Sequence, residues 1–406
     1  MSWRVPCAAA LGALLLMAVP GTAPADDHLP PRISLLTFGP GAIYWQRFGH
    51  NALLVRDHGV GGGTVYNYGY FDFGQENFLA NFVYGRMDYR LAADTLSRTV
   101  AQYHREGREL HEQVLDLSPT QARELAAFLE WNARPENAAY RYDYFLQACS
   151  TRVRDALDMV TGGALRILEA APAELTLREQ VLRLTAPDPP LMLALDLILG
   201  PPADRPRTLW EETFVPEVLE EAVRGVTLEA RGSEPARPLV RQERVLVARD
   251  PARAAAVPPE QPPALAPWFA GAGLLWVVLL LATRRVRALW LILGGTQLLV
   301  AGTAGLVMAF IGVATAHWAG WYNLNMAFYN PLAWAALPAL WTAARGHPLR
   351  RWQRAALGML LVVALLGVAA PFWQANLHHL LFWLPAHAVL WWTAAGQAAA
   401  TRSPAS

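Results

Sequence analysis

Cys149 stands where a thiol could act as a nucleophile. The stretch after it has apolar residues at helical spacing and ends in two glycines, namely Val153, Leu157, Val160 and Gly162-Gly163. We therefore expect a helix that begins at or beside Cys149, after a loop or strand end. Free backbone N–H groups and the positive end of the helix dipole stabilise a thiolate there and lower the thiol pKa. The alternative is a structural cysteine, because free Cys is among the most buried residue types.

The cysteine count favours the reactive alternative. The chain has 2 cysteines, Cys7 and Cys149. Cys7 lies in 1–25, which has a charged start at Arg4, a short apolar run and the small-residue site Ala23-Pro24-Ala25. This pattern is typical of a cleaved signal peptide, and the run is short for an uncleaved anchor. After cleavage Cys149 has no partner for an internal disulfide, so it is either buried or reactive.

A thiol nucleophile needs a base, usually histidine, which need not be near it in sequence. His50 is the candidate, because it follows Gly49 and opens a strand-like run that should enter the core. Asn67 and Asp72 are candidates to orient its ring, and Tyr66 is a weaker one. Without Cys149, a satisfied structural histidine would be the preferred interpretation of His50.

A predicted hairpin positions these groups. Phe48–Arg56 and Thr64–Phe73 are β-rich runs on either side of a glycine-rich turn at Gly59–Gly63. His50 then lies level with the Asn67–Asp72 part of the return strand. Other strands are predicted at Ile33–Phe38, Ala42–Trp45, Glu109–Leu117 and Glu243–Ala248. Helices are predicted from Ser118 to about Trp131, and at Leu177–Leu184, Leu191–Leu199 and Pro216–Val223.

These elements indicate an α+β domain over 26–249, followed by a membrane region. The whole chain is 54% hydrophobic and 17% charged, against about 25% charged in soluble proteins. A Pro/Ala-rich linker covers 250–266, and an all-α membrane domain of about five helices is predicted over 267–396. The predicted spans are Pro267–Ala282, Ala288–Ala314, Met326–Ala343, Ala355–Pro371 and Leu377–Ala394.

Loop charges predict the topology of this membrane region. Arg284–Arg287 and Arg345–Arg354 are basic and fall on one side, whereas the loops His317–Asn325 and Gln374–His379 contain no Lys or Arg. The positive-inside rule therefore predicts a cytoplasmic tail at 397–406 and a periplasmic α+β domain, in the inner membrane. The net charge is +1, with no basic stripe outside the membrane loops, so no nucleic-acid partner is expected.

Polar residues in the membrane region have two interpretations. Asn323, Asn325, His378, His379 and His387 are either functional groups or interfacial hydrogen-bonding residues. Adjacent side chains on a helix point about 100° apart, so His378-His379 is not a useful metal spacing. We predict no metal and no cofactor.

Several short motifs together resemble those of the Lnb-type lipoprotein N-acyltransferases. They are Phe48-Gly49-His50-Asn51-Ala52-Leu53, Tyr66-Asn67-Tyr68-Gly69-Tyr70-Phe71-Asp72-Phe73, Cys149-Ser150-Thr151-Arg152, Leu199-Gly200-Pro201 and Phe214-Val215-Pro216. The resemblance implies a permuted papain-like (NlpC-type) periplasmic domain in which His50 is the base and Cys149 the nucleophile. It also brings Arg152 in as a substrate-contacting candidate. Ala148 stands where the family leads one to expect Asn.

The implied activity is transfer of a fatty acyl group in two steps. Cys149 would take the acyl chain from a phospholipid as a thioester, and the N-terminal amine of a lipidated lipoprotein would then receive it as an amide. Both substrates are held in the membrane, which would explain the attached membrane helices.

Two other functions remain open. One is a membrane-anchored cysteine peptidase or amidase of the cell envelope, with the same Cys149 and His50 but water as acceptor. The other is a non-catalytic membrane assembly factor with an inert Cys149. Transport is the least favoured, because the predicted spans carry few charges.

Overall fold

A computed structural model describes residues 29–57, 62–230 and 235–399. The predicted signal peptide, 1–25, lies outside the described residues. So do residues 400–406 of the predicted tail and residues 59–61 of the predicted glycine-rich turn.

The N-terminal domain is built on a seven-stranded sheet with antiparallel neighbours in the order β6-β4-β3-β2-β1-β5-β9. The strands are β1 (Arg32–Phe38), β2 (His50–Arg56), β3 (Thr64–Tyr70), β4 (Asp88–Thr95), β5 (Leu110–Leu115), β6 (Ala139–Arg141) and β9 (Val240–Val247). Two short strands, β7 (Thr227–Leu228) and β8 (Arg237–Pro238), form a separate pair.

Helices cover both faces of the sheet centre. They are α1 (Phe78–Val83), α2 (Leu96–Glu106), α3 (Pro119–Asn132), α4 (Cys149–Thr161), α5 (Leu177–Thr185), α6 (Pro189–Ile198), α7 (Leu209–Glu212) and α8 (Pro216–Gly225). One face packs against α3, α4 and α8, and the other against α2. Because both faces of β1 are covered, its residues from Ile33 to Phe38 are all buried, and the strand is mostly apolar rather than alternating.

The predicted hairpin is confirmed, with β2 antiparallel to β3 and Leu53 opposite Tyr66. The helix predicted after Ser118 is also confirmed, and Ser118 and Gln121 form a reciprocal capping box at its start. The strand predicted at Ala42–Trp45 is wrong. That segment turns back on itself as a 3₁₀ helix, Tyr44–Gln46, closed by the Gly41 N–H bonding to the Gln46 carbonyl at 2.9 Å.

The C-terminal region contains the helices α9 (Ala266–Thr283), α10 (Arg287–Ala314), α11 (Leu332–Ala344), α12 (Arg351–Leu366) and α13 (Leu377–Ala399). Three stretches of the described residues are long and apolar enough to cross a membrane: Ala266–Thr283, Arg287–Ala314 and Arg351–Phe372. The third consists of α12 and the 3₁₀ turn after it. α11 has 13 residues with Pro338 inside it, so the count of five spans stays a prediction.

Polar side chains of the membrane region hold the two regions together. Asn323 and Asn325 both donate to the Leu197 carbonyl, at 2.9 and 3.1 Å, and Gln374 donates to the Leu199 carbonyl at 3.2 Å. These bonds satisfy the carbonyl groups at the end of α6, which have no partner within the helix. Asn323 and Asn325, for which the sequence left two interpretations, thus contribute to interdomain packing.

Candidate active site

Cys149 and His50 each begin an element, and a hydrogen bond joins those elements beside them. The Ser150 hydroxyl, next to Cys149 on α4, donates to Asn51 Oδ1 at 2.7 Å. Asn51, next to His50 on β2, donates through Nδ2 to Thr37 Oγ1 at 3.0 Å. All three linking side chains are buried, so they fix the start of α4 against the sheet. This link brings the sulfur and the imidazole together.

Two glycines allow the backbone to pass close to His50 and to Cys149. Gly49 has φ +76°, and a Cβ there would lie 2.8 Å from the Phe38 carbonyl oxygen. Gly69 on β3 has φ +90°, and a Cβ there would lie 3.7 Å from Cys149 Cβ. These values of φ are strained for a residue with a side chain. Gly49 therefore sets the direction in which the chain enters His50, and Gly69 brings β3 against the thiol.

The His50 ring is held from three sides. It hydrogen-bonds with the Cys149 thiol, and its Nε2 lies 3.2 Å from Asn67 Oδ1. Asn67 is itself oriented, because its Nδ2 donates to the Val65 carbonyl at 3.3 Å and so turns Oδ1 toward the ring. The Phe38 ring packs against the imidazole at a centroid distance of 5.4 Å. With a proton on Nε2, the ring presents Nδ1 as the atom that accepts the thiol proton.

The surroundings of Cys149 favour its thiolate. Burial alone would raise the thiol pKa, but the charge and hydrogen bond of His50, together with two backbone hydrogen bonds, lower the pKa overall. The backbone N–H groups of Asn51 and Ser150 also donate to the sulfur. Cys149 is half-buried. A thiol that is accessible, hydrogen-bonded to histidine and lowered in pKa can act as a nucleophile.

The other predicted site residues lie in different surroundings. Asp72 is exposed and accepts from the Gly74 N–H at 2.8 Å in its own turn. Tyr66 is buried in the core beneath the sheet, where burial raises its pKa. Arg152 lies over the rings of Tyr68 and Tyr140, at 5.3 and 5.0 Å from their centroids. Among the four candidates beyond Cys149 and His50, Asn67 contacts the imidazole.

Sequence reasoning missed the tyrosines that surround the thiol. A Cβ placed at Gly69 would lie 3.8 Å from the Tyr142 ring, on the side of Gly69 that Cys149 also faces. Burial, and then the negative charge of the Cys149 thiolate, raise the pKa of Tyr142 well above its ordinary value. Burial raises the pKa of Tyr140 in the same way. These phenols therefore stay neutral, and a ring carbon of Tyr142 and the hydroxyl of Tyr140 lie on the side of Gly69 that Cys149 faces.

The loop before Cys149 is tied to the membrane region. Asp143 accepts through Oδ1 from the N–H groups of Phe145 and Leu146, both at 2.9 Å. Its other oxygen, Oδ2, accepts from Trp318 Nε1 at 2.8 Å. Trp318 lies in the connection between α10 and α11. The thiol is thus held close to one end of these helices.

A second cluster corrects the prediction that His378 and His379 diverge. Both imidazoles reach Asp196 Oδ2, through Nε2 atoms at 2.6 and 3.1 Å. Within the described part of the chain this is a group that could hold a metal ion, with ligand atoms within 4.8 Å of one another. Arg178 donates to Asp196 Oδ1 at 2.9 Å and also pairs with Asp204. The two imidazoles thus join α13 to Asp196 on α6 through hydrogen bonds, and the Arg178–Asp196 ion pair lies in the same junction.

Comparisons with known proteins match both regions of the chain. A family model described as the Lnb N-terminal periplasmic domain matches residues 30–182. A second, described as the Lnb transmembrane domain, matches residues 260–393. Neither the curated proteins nor the solved structures gave a match. The first match contains Cys149, His50 and Asn67, and the second contains the helices that follow.

Proposed function

The chain belongs to the Lnb family and is a membrane protein with a periplasmic domain, and from this premise we propose that it is a thiol-dependent lipoprotein N-acyltransferase. The observation that supports this most is the hydrogen-bonded pair of Cys149 and His50, with Asn67 behind the imidazole. The proposal includes a permuted papain-like fold, because the strand that starts with His50 precedes the helix that starts with Cys149.

In the first step, His50 takes the proton of Cys149 and the thiolate attacks the ester carbonyl carbon of a phospholipid. The oxyanion formed is stabilised in part by the N–H of Cys149 at the first turn of α4, which has no acceptor within the helix. The ester C–O bond then breaks, and the His50 imidazolium gives its proton to the departing alcohol oxygen. The products are an acyl thioester on Cys149 and a lysophospholipid.

In the second step, the free α-amine of the lipoprotein's N-terminal cysteine attacks the thioester carbonyl. His50 takes a proton from the attacking nitrogen, the C–S bond breaks, and the thiolate returns to its resting state with an amide as product. A thioester accepts an amine readily if water is kept away. The neutral Tyr142 ring, which lies on the side of Gly69 that Cys149 faces, provides an apolar surface that suits this requirement.

The membrane region supports an acyl donor and acceptor that are both lipid-anchored. The hydrogen bond from Trp318 to Asp143 keeps the thiol loop beside the membrane helices. We propose the inner membrane as the location, with five spans, the soluble domain in the periplasm and the C-terminus in the cytoplasm. This arrangement agrees with the basic loops at Arg284–Arg287 and Arg345–Arg354.

The test is the chemical state of lipoprotein N-termini in cells whose only copy of the gene carries Cys149→Ala. Mass spectrometry should find free α-amines in that strain and N-acylated termini with the unaltered chain. Met159→Ala is the matched control, because Met159 is exposed on the same helix. N-acylation that persists with Cys149→Ala in the membrane would refute the proposal. A cysteine peptidase or an inert assembly factor predicts unchanged N-termini in every strain.

A further inference from the structure

An apolar surface lies on the periplasmic domain where the segment between β3 and β4, which contains α1, meets the 3₁₀ helix Tyr44–Gln46. We define this aromatic surface by Trp45, Phe73, Phe78, Leu79 and Phe82. Leu79 is 71% exposed, Phe73 59%, Trp45 40% and Phe82 36%. The rings contact one another, with Trp45 and Phe73 centroids 5.6 Å apart and Phe73 and Phe78 centroids 5.1 Å apart. Contiguous exposed apolar side chains of this kind mark an interaction site rather than ordinary surface.

The aromatic surface adjoins the end of a candidate membrane span. The Ala316 N–H, just beyond α10, donates to the Tyr84 carbonyl at 2.9 Å. His317 Nε2 lies 3.1 Å from the Phe82 carbonyl oxygen, and the Tyr84 ring packs against Phe310 of α10 at 5.8 Å. α10 is among the helices long and apolar enough to cross a bilayer. The aromatic surface therefore lies beside the C-terminal end of that helix.

A continuous series of rings leads from this surface to the thiol. Phe73 contacts Phe71 at 5.1 Å, Phe71 contacts Tyr89 at 5.1 Å, and Tyr89 stacks on Tyr142 at 4.4 Å. Tyr142 faces Gly69 on the side occupied by Cys149. Carbon chains pack well on aromatic faces and edges. One end of the series is exposed beside a membrane helix, and the other end reaches the nucleophile.

We propose that the aromatic surface inserts into the outer leaflet, and that the ring series guides an acyl chain of a bilayer lipid to Cys149. The occupant is lipid rather than a protein partner, because the surface continues directly from α10. Its exposed Trp, Phe and Leu side chains are those that interfacial segments bury. Two carboxylates, Asp72 and Glu76, lie in the same segment, and the Asp72 carboxylate accepts a hydrogen bond from the Gly74 N–H. Arg86 and Arg90 lie over the rings of Tyr84 and Tyr70, where they could pair with lipid phosphates.

The insertion step can be tested without catalysis. The full-length chain with Cys7→Ser and Cys149→Ser receives a single labelling site, Leu79→Cys, and is reconstituted into phosphatidylcholine and phosphatidylglycerol vesicles. An environment-sensitive fluorophore at that site should emit at shorter wavelength and be quenched by lipids that carry a shallow spin label. Ile167→Cys is the matched control, because Ile167 is 69% exposed on the same domain. Equal, water-like emission at both sites would overturn the proposal.

The guiding step rests on the proposed function and needs a separate measurement. Leu79→Asp and Phe73→Asp should each slow acylation of Cys149 by vesicle phospholipid at least about tenfold, because a buried charge on the aromatic surface opposes insertion. Ile167→Asp should acylate at the normal rate. Alkylation of Cys149 by iodoacetamide, followed in the same samples, reports whether the thiol and imidazole pair is intact. Normal lipid acylation in both aromatic-surface variants would overturn the guiding role.

The two proposals fail in distinguishable ways. If Cys149 is never acylated by phospholipid, the proposed function fails while the fluorescence at position 79 still decides insertion. If Cys149 is acylated but the label stays in water, the enzyme function stands and the aromatic surface has another partner. A cross-link between copies of the chain at position 79, without lipid quenching, would identify that partner as a second copy.

Discussion

Removing the Asn67 amide, which lies beside the His50 imidazole, should make the Cys149 thiolate less stable relative to the thiol. Asn67 Oδ1 accepts from His50 Nε2 at 3.2 Å. A hydrogen bond to a charged group contributes about 1.5–3 kcal/mol, and one between neutral groups about 0.5–1.5 kcal/mol. The bond therefore favours the thiolate–imidazolium form over the neutral pair by about 1–2 kcal/mol. One pKa unit corresponds to about 1.4 kcal/mol, so Asn67→Ala should raise the Cys149 pKa by roughly one unit.

The assay is the rate of Cys149 alkylation by iodoacetamide as a function of pH. The rate rises as pH increases through the thiol pKa, because the thiolate is the reactive form. The midpoint for Asn67→Ala should therefore move to higher pH. At pH values below the midpoints of both proteins, the alkylation rate of the variant should be about tenfold lower. Asn67→Asp keeps an acceptor for Nε2–H and should retain a low midpoint.

The matched control is Asp72→Asn, because Asp72 bonds to Gly74 in its own turn rather than to His50. Its alkylation midpoint should equal that of the unaltered chain. An unchanged midpoint in Asn67→Ala, or an equal shift in Asp72→Asn, would refute the assignment of Asn67 as the orienting residue.

Three further predictions concern the support of the site and the domains. Gly49→Ala should cost about 1–3 kcal/mol of strain and misalign the imidazole, so acylation falls at least about tenfold; Gly225→Ala, where a Cβ meets no atom within 4 Å, is the control. Asp196→Asn should lower the melting temperature in detergent, since breaking the buried Arg178–Asp196 pair costs about 3–5 kcal/mol; an unchanged melting temperature would contradict this role of Asp196. Glu112 is buried on β5 and accepts hydrogen bonds from Arg56, Arg244 and Ser34, which outweigh the effect of burial and lower its pKa to about 2. The ionised Glu112 contributes roughly 3 kcal/mol of stability, which is present above about pH 4.5 and is lost toward pH 2. Glu112→Gln should therefore melt at a lower temperature than the unaltered chain at pH 7, and the difference should disappear in acid. An equal difference in melting temperature at both pH values would exclude this pH dependence.

The spacing of apolar residues was sufficient to predict a helix or a hairpin whose formation depends on neighbouring residues alone. The apolar spacing after Cys149 predicted a helix, and α4 begins at Cys149. The two β-rich runs predicted the β2–β3 hairpin, which is confirmed. The helix α2 was missed although Leu96, Val100 and Tyr103 have helical spacing and pack together on the sheet. That signal was present in the sequence and was overlooked.

Features that depend on distant parts of the chain could not be read locally. The β3–β4 pairing shifts register between Asn67 and Tyr70, and such a shift decides which side chains of the strand face a neighbour. Sequence reasoning therefore left Asn67 and Asp72 as equal candidates. The convergence of His378 on Asp196 likewise depends on how α13 docks against α6. No spacing along the chain encodes that contact.

The most direct measurement is the mass of the peptide that contains Cys149 after the full-length protein has been incubated with phospholipid of one defined acyl chain. We expect an added acyl group on Cys149 that hydroxylamine removes, as is characteristic of a thioester. The adduct should be absent with His50→Ala and should disappear when a lipoprotein with a free N-terminal amine is added. Lipoprotein acylation that proceeds without any such adduct would show that Cys149 is not the acyl carrier.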